Sequence, residues 1–318
     1  MPDRAPEAGS PRAVPDPTPV EGSPAMRRPR AGVVGHIDWV TFAVVDRIPP
    51  AGVITHARES FDLPAGGGAV AAVQIARLAG SSLLLTALGD DELGEAAVAE
   101  MTARAVEVHA ARRVKDRTRR GWTYLDDGHE RTITMLDPRV VPHGADPLPW
   151  DRCAELDAVY LTGGDARAGV NARRAGIVVA TARAADTLRA SGIELDVLIA
   201  SATDPGEALD PAQLDPQPRL VVRTAGAEGG SWERRDGSTG SWPAVELPGP
   251  PVDAYGCGDA FAAGLTYGLG AGLALDDALE LAARCGAHIL TGRGGAARRP
   301  AASRQTTANG SSRRRTEL

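Results

Sequence analysis

Short apolar runs alternate with stretches of helical periodicity between residues 31 and 292. The run "AGVVGHIDWVTFAV" (31–44) predicts a first strand. In "GAVAAVQIARLAG" (68–80) the apolar positions Val70, Val73, Ile75 and Leu78, closed by Gly80, predict a helix. Four further runs have apolar centres and strand length: "SSLLLTALG" (81–89), "LDAVYLTG" (156–163), "LDVLIAS" (195–201) and "PRLVVRTAG" (218–226). Such runs suit strands covered on both faces. Helices are predicted over 90–106, with an acidic first turn that the helix dipole favours, and over 174–192, 259–272 and 275–292. This alternation implies a mostly parallel sheet with helices on both faces.

Two segments break the pattern. "GVITHARESFDLP" (52–64) and "RRGWTYLDDGHERTITML" (119–136) read as antiparallel strands, the second with Asp127-Gly128 as a hairpin turn. They predict a small β excursion that could cover a site or be a plain edge hairpin.

Composition narrows the function. The chain has 318 residues and 43% hydrophobic residues but only 4% aromatics, so the core has to be built from Val, Leu, Ile and Ala. Residues 1–30, with eight prolines, and the Arg-rich residues 293–318 read as disordered tails. The formal charge is −6, and about −13 of charge falls on residues 31–292 once the basic tails are set apart. That acidic body is a poor nucleic-acid surface. No apolar run approaches the ~20 residues that span a bilayer, and no secretory pattern is seen. The three cysteines, Cys153, Cys257 and Cys285, have no paired spacing. These features predict a cytoplasmic protein without membrane or nucleic-acid partners. The single lysine, Lys115, leaves no P-loop to hold phosphates, and no His/Cys cluster suggests zinc.

The chemistry concentrates in "PPVDAYGCGDAFAAGL" (250–265). Gly256, Cys257 and Gly258 lead into a helix whose first backbone N–H groups can hold an anion without lysine. Asp259 then stands where a base would take a hydroxyl proton, or where a residue would simply cap the helix. Cys257, at the same helix start, is a competing nucleophile. A second glycine cluster, "GGGAVA" (66–71), also fits a dinucleotide fingerprint, although "SFDLP" before it is no buried strand.

The stretch "DAYGCGDAF" (253–261) resembles the second signature of the ribokinase-like (PfkB) carbohydrate kinases, with Cys257 in place of the usual alanine. "LPAGGGAVAAVQIARLAG" (63–80) resembles the first signature, "DDGHERTIT" the lid strand, and "VVRTAGAEGGSW" (221–232) the nucleotide-holding turn. The resemblance implies a three-layer α/β/α fold with a mostly parallel sheet and a small β lid, the lid segments falling at about 49–64 and 119–136. It implies a phosphotransferase that moves the γ-phosphoryl of ATP to a hydroxyl of a sugar or nucleoside-like acceptor. Asp259 would be its base, and Gly256, Cys257 and Gly258 its anion hole. Gly66, Gly67, Gly68 and Asp38 would line the acceptor. Thr224, Gly226 and Gly229 would face the nucleotide. Mg2+ is implied as a cofactor, with a monovalent cation as a further candidate and a homodimer through the lid.

Three departures stand out. Ala71 replaces a common asparagine, and Val40 replaces the sugar-gripping aspartate, for which Asp38 is the candidate substitute. The magnesium motif reads Ser201-Ala202-Thr203-Asp204, which leaves Asp204 as its acid. His36 and His129 read as ordinary polar residues. A non-catalytic sugar or nucleotide sensor on the same fold is the alternative function.

Overall fold

The computed structural model describes residues 28–128 and 131–295. His129 lies outside them, as do residues 1–27 and 296–318 of the two tails. The folded region is wider than 31–292. The Arg30 N–H donates to Asp157 Oδ2 (2.8 Å), and the Gly294 N–H donates to Asp253 Oδ2 (2.8 Å). Arg293 pairs with Glu59.

In chain order the elements are β1 (Ala31–Val34), β2 (Asp38–Val44), β3 (Glu59–Ala65), α1 (Gly66–Ala79), β4 (Ser82–Gly89), α2 (Glu92–Thr102), β5 (Val106–Arg113), β6 (Arg120–Leu125) and β7 (Arg131–Met135). There follow β8 (Ala158–Leu161), α3 (Ala166–Ala172), β9 (Ile177–Thr181), α4 (Ala185–Ser191), β10 (Val197–Ser201), β11 (Leu220–Thr224), β12 (Gly230–Arg234), β13 (Thr239–Trp242), α5 (Cys257–Gly270) and α6 (Leu275–Leu290). One nine-stranded sheet runs β13-β12-β11-β10-β9-β8-β1-β4-β5. It is parallel from β11 to β5, and β12 and β13 add an antiparallel edge. A second sheet, β3-β2-β6-β7, forms the lid.

The core is split by the main sheet. On one face α1, α2, α5 and α6 bury Ile75, Met101, Leu265 and Leu279. On the other α3 and α4 bury Ala168, Ala172 and Leu188 with Trp150. With few aromatics, close approach replaces bulk. A Cβ on Gly264 of α5 would stand 2.8 Å from the Cα of Ala282 on α6, so only glycine permits that crossing.

The run 31–44 is two strands, not one. It breaks at Gly35–Ile37, where the Gly35 N–H still donates to Leu85 O in the main sheet (3.1 Å). The chain then leaves the main sheet to enter the lid as β2. The lid therefore includes 38–44. Of residues 49–64 only Glu59 onward is strand. The Asp127-Gly128 hairpin joins β6 to β7 as expected, with Leu125 opposite Arg131. Residues 174–192 are not one helix. The β-branched run Ile177-Val178-Val179 after Gly176 is the buried strand β9, and helix begins only after it, as a 3-10 turn over Ala182–Ala184 leading into α4. The predicted helix over 90–106 ends at Thr102, and β5 follows. The lid's inner face, with Val40 and Phe42, packs on Val70, Tyr255 and Ile289 of the body. Phe42 stacks on Phe61 (5.0 Å between ring centres) and meets Tyr255 edge-on (5.1 Å).

Candidate active site

Parallel α/β sheets present their ligands at the carboxyl ends of the strands. Here that edge carries His36 after β1, Thr162 after β8, Arg183 after β9, Ser201 on β10 and Thr224 on β11. Two helices begin over it, α1 at Gly66 and α5 at Cys257.

The start of α1 is wedged between two carboxylates. A Cβ on Gly66 would lie 2.8 Å from Asp38 Oδ2, and a Cβ on Gly67 would lie 2.7 Å from Asp259 Oδ1. Gly66 also has φ +82 and donates its N–H to Tyr255 Oη (3.1 Å). Gly68 donates to His36 O (3.1 Å), and a Cβ there would stand 2.4 Å from that same oxygen. The glycine cluster thus brings backbone against Asp38 on one side and Asp259 on the other.

Asp38 opens β2 and is 4% exposed. Its Oδ2 lies 3.6 Å from His36 Nε2 and 3.6 Å from Arg119 Nη1. Its Oδ1 is buried without a hydrogen-bond partner, an acceptor left for something the cleft admits. Burial raises the Asp38 pKa to about 6, against the pull of Arg119 and Arg139 and with a small push from Asp259. His36 is held neutral, its pKa lowered to about 3 by burial and then by Arg139, Arg119 and Arg183. It is an ordinary polar residue by sequence but sits inside the site, 3.3 Å from Thr162 Oγ1.

Asp259 lies in the first turn of α5, half-buried at the floor of the cleft, where solvent still reaches it. It does not cap the helix. The cap position is Gly256, with φ +80, and no side chain bonds the first N–H groups. Those donors are open, and a Cβ on Gly258 would meet nothing within 4 Å. The carboxylate instead accepts from Tyr160 Oη (3.2 Å). Burial raises its pKa to about 6. Tyr160 opposes this through its hydrogen bond, Glu207 adds to it, and Arg183 and Arg131 oppose it. Cys257 has no acidified thiol: burial pushes its pKa up to about 12, which weakens it as a nucleophile. Asp253, the first residue of the resembling stretch, has a structural role. Its two oxygens accept from the Tyr255 N–H (2.7 Å) and the Gly294 N–H (2.8 Å) and fix the approach to α5.

On the other side of the cleft Thr224 ends β11, and Gly226 (φ +57) and Gly229 (φ +84) turn the chain into β12. A Cβ on Gly226 would meet nothing within 4 Å, so this turn is open to a ligand. Asp204 is engaged by its own neighbours. It pairs with Arg183 and accepts the Gly206 N–H (2.8 Å). The acid whose charge reaches Asp259 is Glu207, which accepts from the Ser201 N–H (2.7 Å) and from Arg183 Nε (2.9 Å). Glu207, Arg183, Arg119 and Arg139 are absent from the sequence reading. Arg183 follows a strand misread as helix, and the two lid arginines carry no motif.

The sequence profile of the pfkB carbohydrate kinases matches residues 33–201 and 177–302. The chain belongs to the pfkB family of carbohydrate kinases. It is a sugar kinase, and the sensor alternative gives way. A curated relative in Halopiger xanaduensis, an ATP-dependent ribose-1-phosphate kinase, is 28% identical over 287 residues, 84% of this chain and 94% of the relative. Among solved structures, the Thermotoga maritima ribokinase superposes with a TM-score of 0.65 at 19% identity, covering 84% of this kinase and 94% of that chain. The Arabidopsis thaliana ribokinase, solved with ribose and ATP, gives a TM-score of 0.66 at 18% identity with the same coverage. These neighbours share the fold.

Proposed function

We propose that the kinase transfers the γ-phosphoryl group of ATP to a sugar hydroxyl, with Asp259 as the base. The observation that carries this reading is the Asp259 carboxylate. It lies against the Gly67 backbone, beside uncapped N–H groups of α5, and caps nothing. A hydroxyl placed there can give its proton to Asp259 as it attacks phosphorus, and the α5 N–H groups take up charge on the transferred group. Tyr160 holds the carboxylate in place. Asp38 Oδ1 has a free lone pair for a second hydroxyl. Thr224, Gly226 and Gly229 line the nucleotide side.

Mg2+, when bound with the nucleotide, would neutralise phosphate charge. The acids present suit a metal carried by the nucleotide rather than a protein cage, since Asp204 and Glu207 are both engaged by Arg183. Glu207 is the better placed to orient a metal-bound water, and it takes over the role that the sequence gives to Asp204. A monovalent cation, a cytoplasmic location and pairing of two chains through the exposed lid residue Trp122 complete the proposal.

The Halopiger xanaduensis relative makes a phosphorylated pentose the first acceptor to try. The test is ADP release across a panel of free and phosphorylated sugars and nucleosides. Turnover that needs Mg2+ and one sugar class is expected. ADP release that no acceptor stimulates would contradict the proposal.

A further inference from the structure

We propose that Arg119 and Arg139 form an anion subsite on the acceptor side of the cleft, so that the sugar this kinase takes already carries a phosphate. The inference rests on the acceptor side assigned above and names what that side selects.

The subsite is built by the open end of the β6–β7 ribbon. Arg120 grips the Asp137 carboxylate through Nε (2.8 Å) and Nη2 (3.2 Å), and the Leu136 N–H donates to Arg120 O (2.9 Å). Arg119 Nε donates to Asp137 O (3.3 Å). These bonds pin the start of β6 to the end of β7. They hold Arg119 at the cleft, and Arg139 follows two residues after Asp137, near enough for the two charges to act on each other.

Neither guanidinium has a carboxylate bonded to it. The Arg119 side chain is only 13% exposed, and its 3.6 Å to Asp38 Oδ2 is too long for a hydrogen bond. Among the described residues Arg139 has no hydrogen-bonded or ion-paired partner. It lies near Arg119, Asp38, Arg183 and Asp259, close enough for each charge to act on it. Arg119 is buried whereas Arg139 is exposed, so it is the Arg119 guanidinium that is removed from water without a hydrogen-bonded anion, which is costly. The buried Arg119 beside Asp38, the exposed Arg139 whose charge reaches Asp38, and the orphaned Asp38 Oδ1 together suggest a ligand that brings both a hydroxyl and an anion. A neutral sugar would need only the hydroxyl partners. A phosphate ester brought between Asp38 and Asp259 would be repelled by both unless cations stood there, and the planar fork of arginine matches phosphate oxygens.

The test is calorimetric binding of α-D-ribose 1-phosphate, D-ribose 5-phosphate, D-ribose and D-gluconate to the wild type, Arg139→Ala and Arg119→Lys. The wild type should bind one of the esters at least about 10-fold tighter than D-ribose or D-gluconate. Arg139→Ala should weaken that ester by about 10- to 100-fold, the range of a charge-assisted contact, and leave D-ribose nearly unchanged. Arg139 is unpartnered, so its variant should keep the wild-type thermal midpoint, and it decides the matter if Arg119→Lys does not fold. D-ribose or D-gluconate bound as tightly as both esters, or equal weakening of ester and free sugar by Arg139→Ala, would overturn the proposal. The readout is binding without turnover, so ester discrimination can survive even if Asp259 is not the base.

Discussion

Asp38, buried, and Asp259, half-buried, stand on either side of a glycine pair, and each is pushed up to about 6. Their cost has a definite sign. A carboxyl whose folded pKa exceeds its unfolded value of 3.8 costs nothing below that value. It destabilises the fold progressively as pH rises through about 6. Replacing it with a neutral amide should remove that cost. Asp38→Asn should therefore be more stable than the wild type at pH 8, by on the order of 1–2 kcal/mol. The gain should shrink towards zero near pH 4. His36 works in the opposite sense, because its depressed pKa costs stability as pH falls below 6.5. The comparison is therefore made between variant and wild type at each pH, by chemical denaturation. The same variant should bind acceptor more weakly. An Asp38→Asn protein less stable at pH 8 would show that the ion pair with Arg119 outweighs burial.

Among the elements, α1 and α5 do most to build the site, and both were legible. Their glycine-led starts and apolar periodicity fix where each helix begins to within two residues. What the sequence hides is what those starts touch. That Gly67 abuts Asp259 is a contact between residues 192 positions apart, and no local pattern encodes it. It can be tested. Gly67→Ala places a methyl 2.7 Å from Asp259 Oδ1 and 3.0 Å from Thr162 Oγ1, so the carboxylate has to move. Turnover should fall by about 100-fold or more, the usual cost of a misplacement near 1 Å. The thermal midpoint should fall only modestly, because alanine suits a helix. Unchanged turnover would mean that Asp259 is not held where it reacts. The errors were also local. An alanine-rich frame around Ile177-Val178-Val179 masked β9, and with it Arg183. The first strand's split at Gly35–Ile37 is invisible to periodicity, since β1 and β2 are both apolar and only their partners differ.

For the whole molecule, charge is the governing fact. The body between the tails carries about −13, yet it has to draw in a polyanionic nucleotide. With one lysine in the chain, attraction has to come from local devices: the uncapped start of α5, and arginines gathered at one edge of the sheet. Such focusing lets a net-acidic protein present a positive cleft. The lid sheet carries Asp38 on β2 and borders Arg119 and Arg139, so it supplies part of the acceptor side as well as covering it.

The most direct measurement is single-turnover phosphoryl transfer by Asp259→Asn, paired with ATP binding to the same folded protein. Asparagine keeps the shape and can still meet Tyr160, but it cannot take the hydroxyl proton. The account predicts a rate lower by about 10²–10⁴, with ATP affinity unchanged or slightly higher. In the wild type, the rate should rise with pH through about 6 as the carboxyl ionises. Near wild-type transfer by Asp259→Asn would contradict the account.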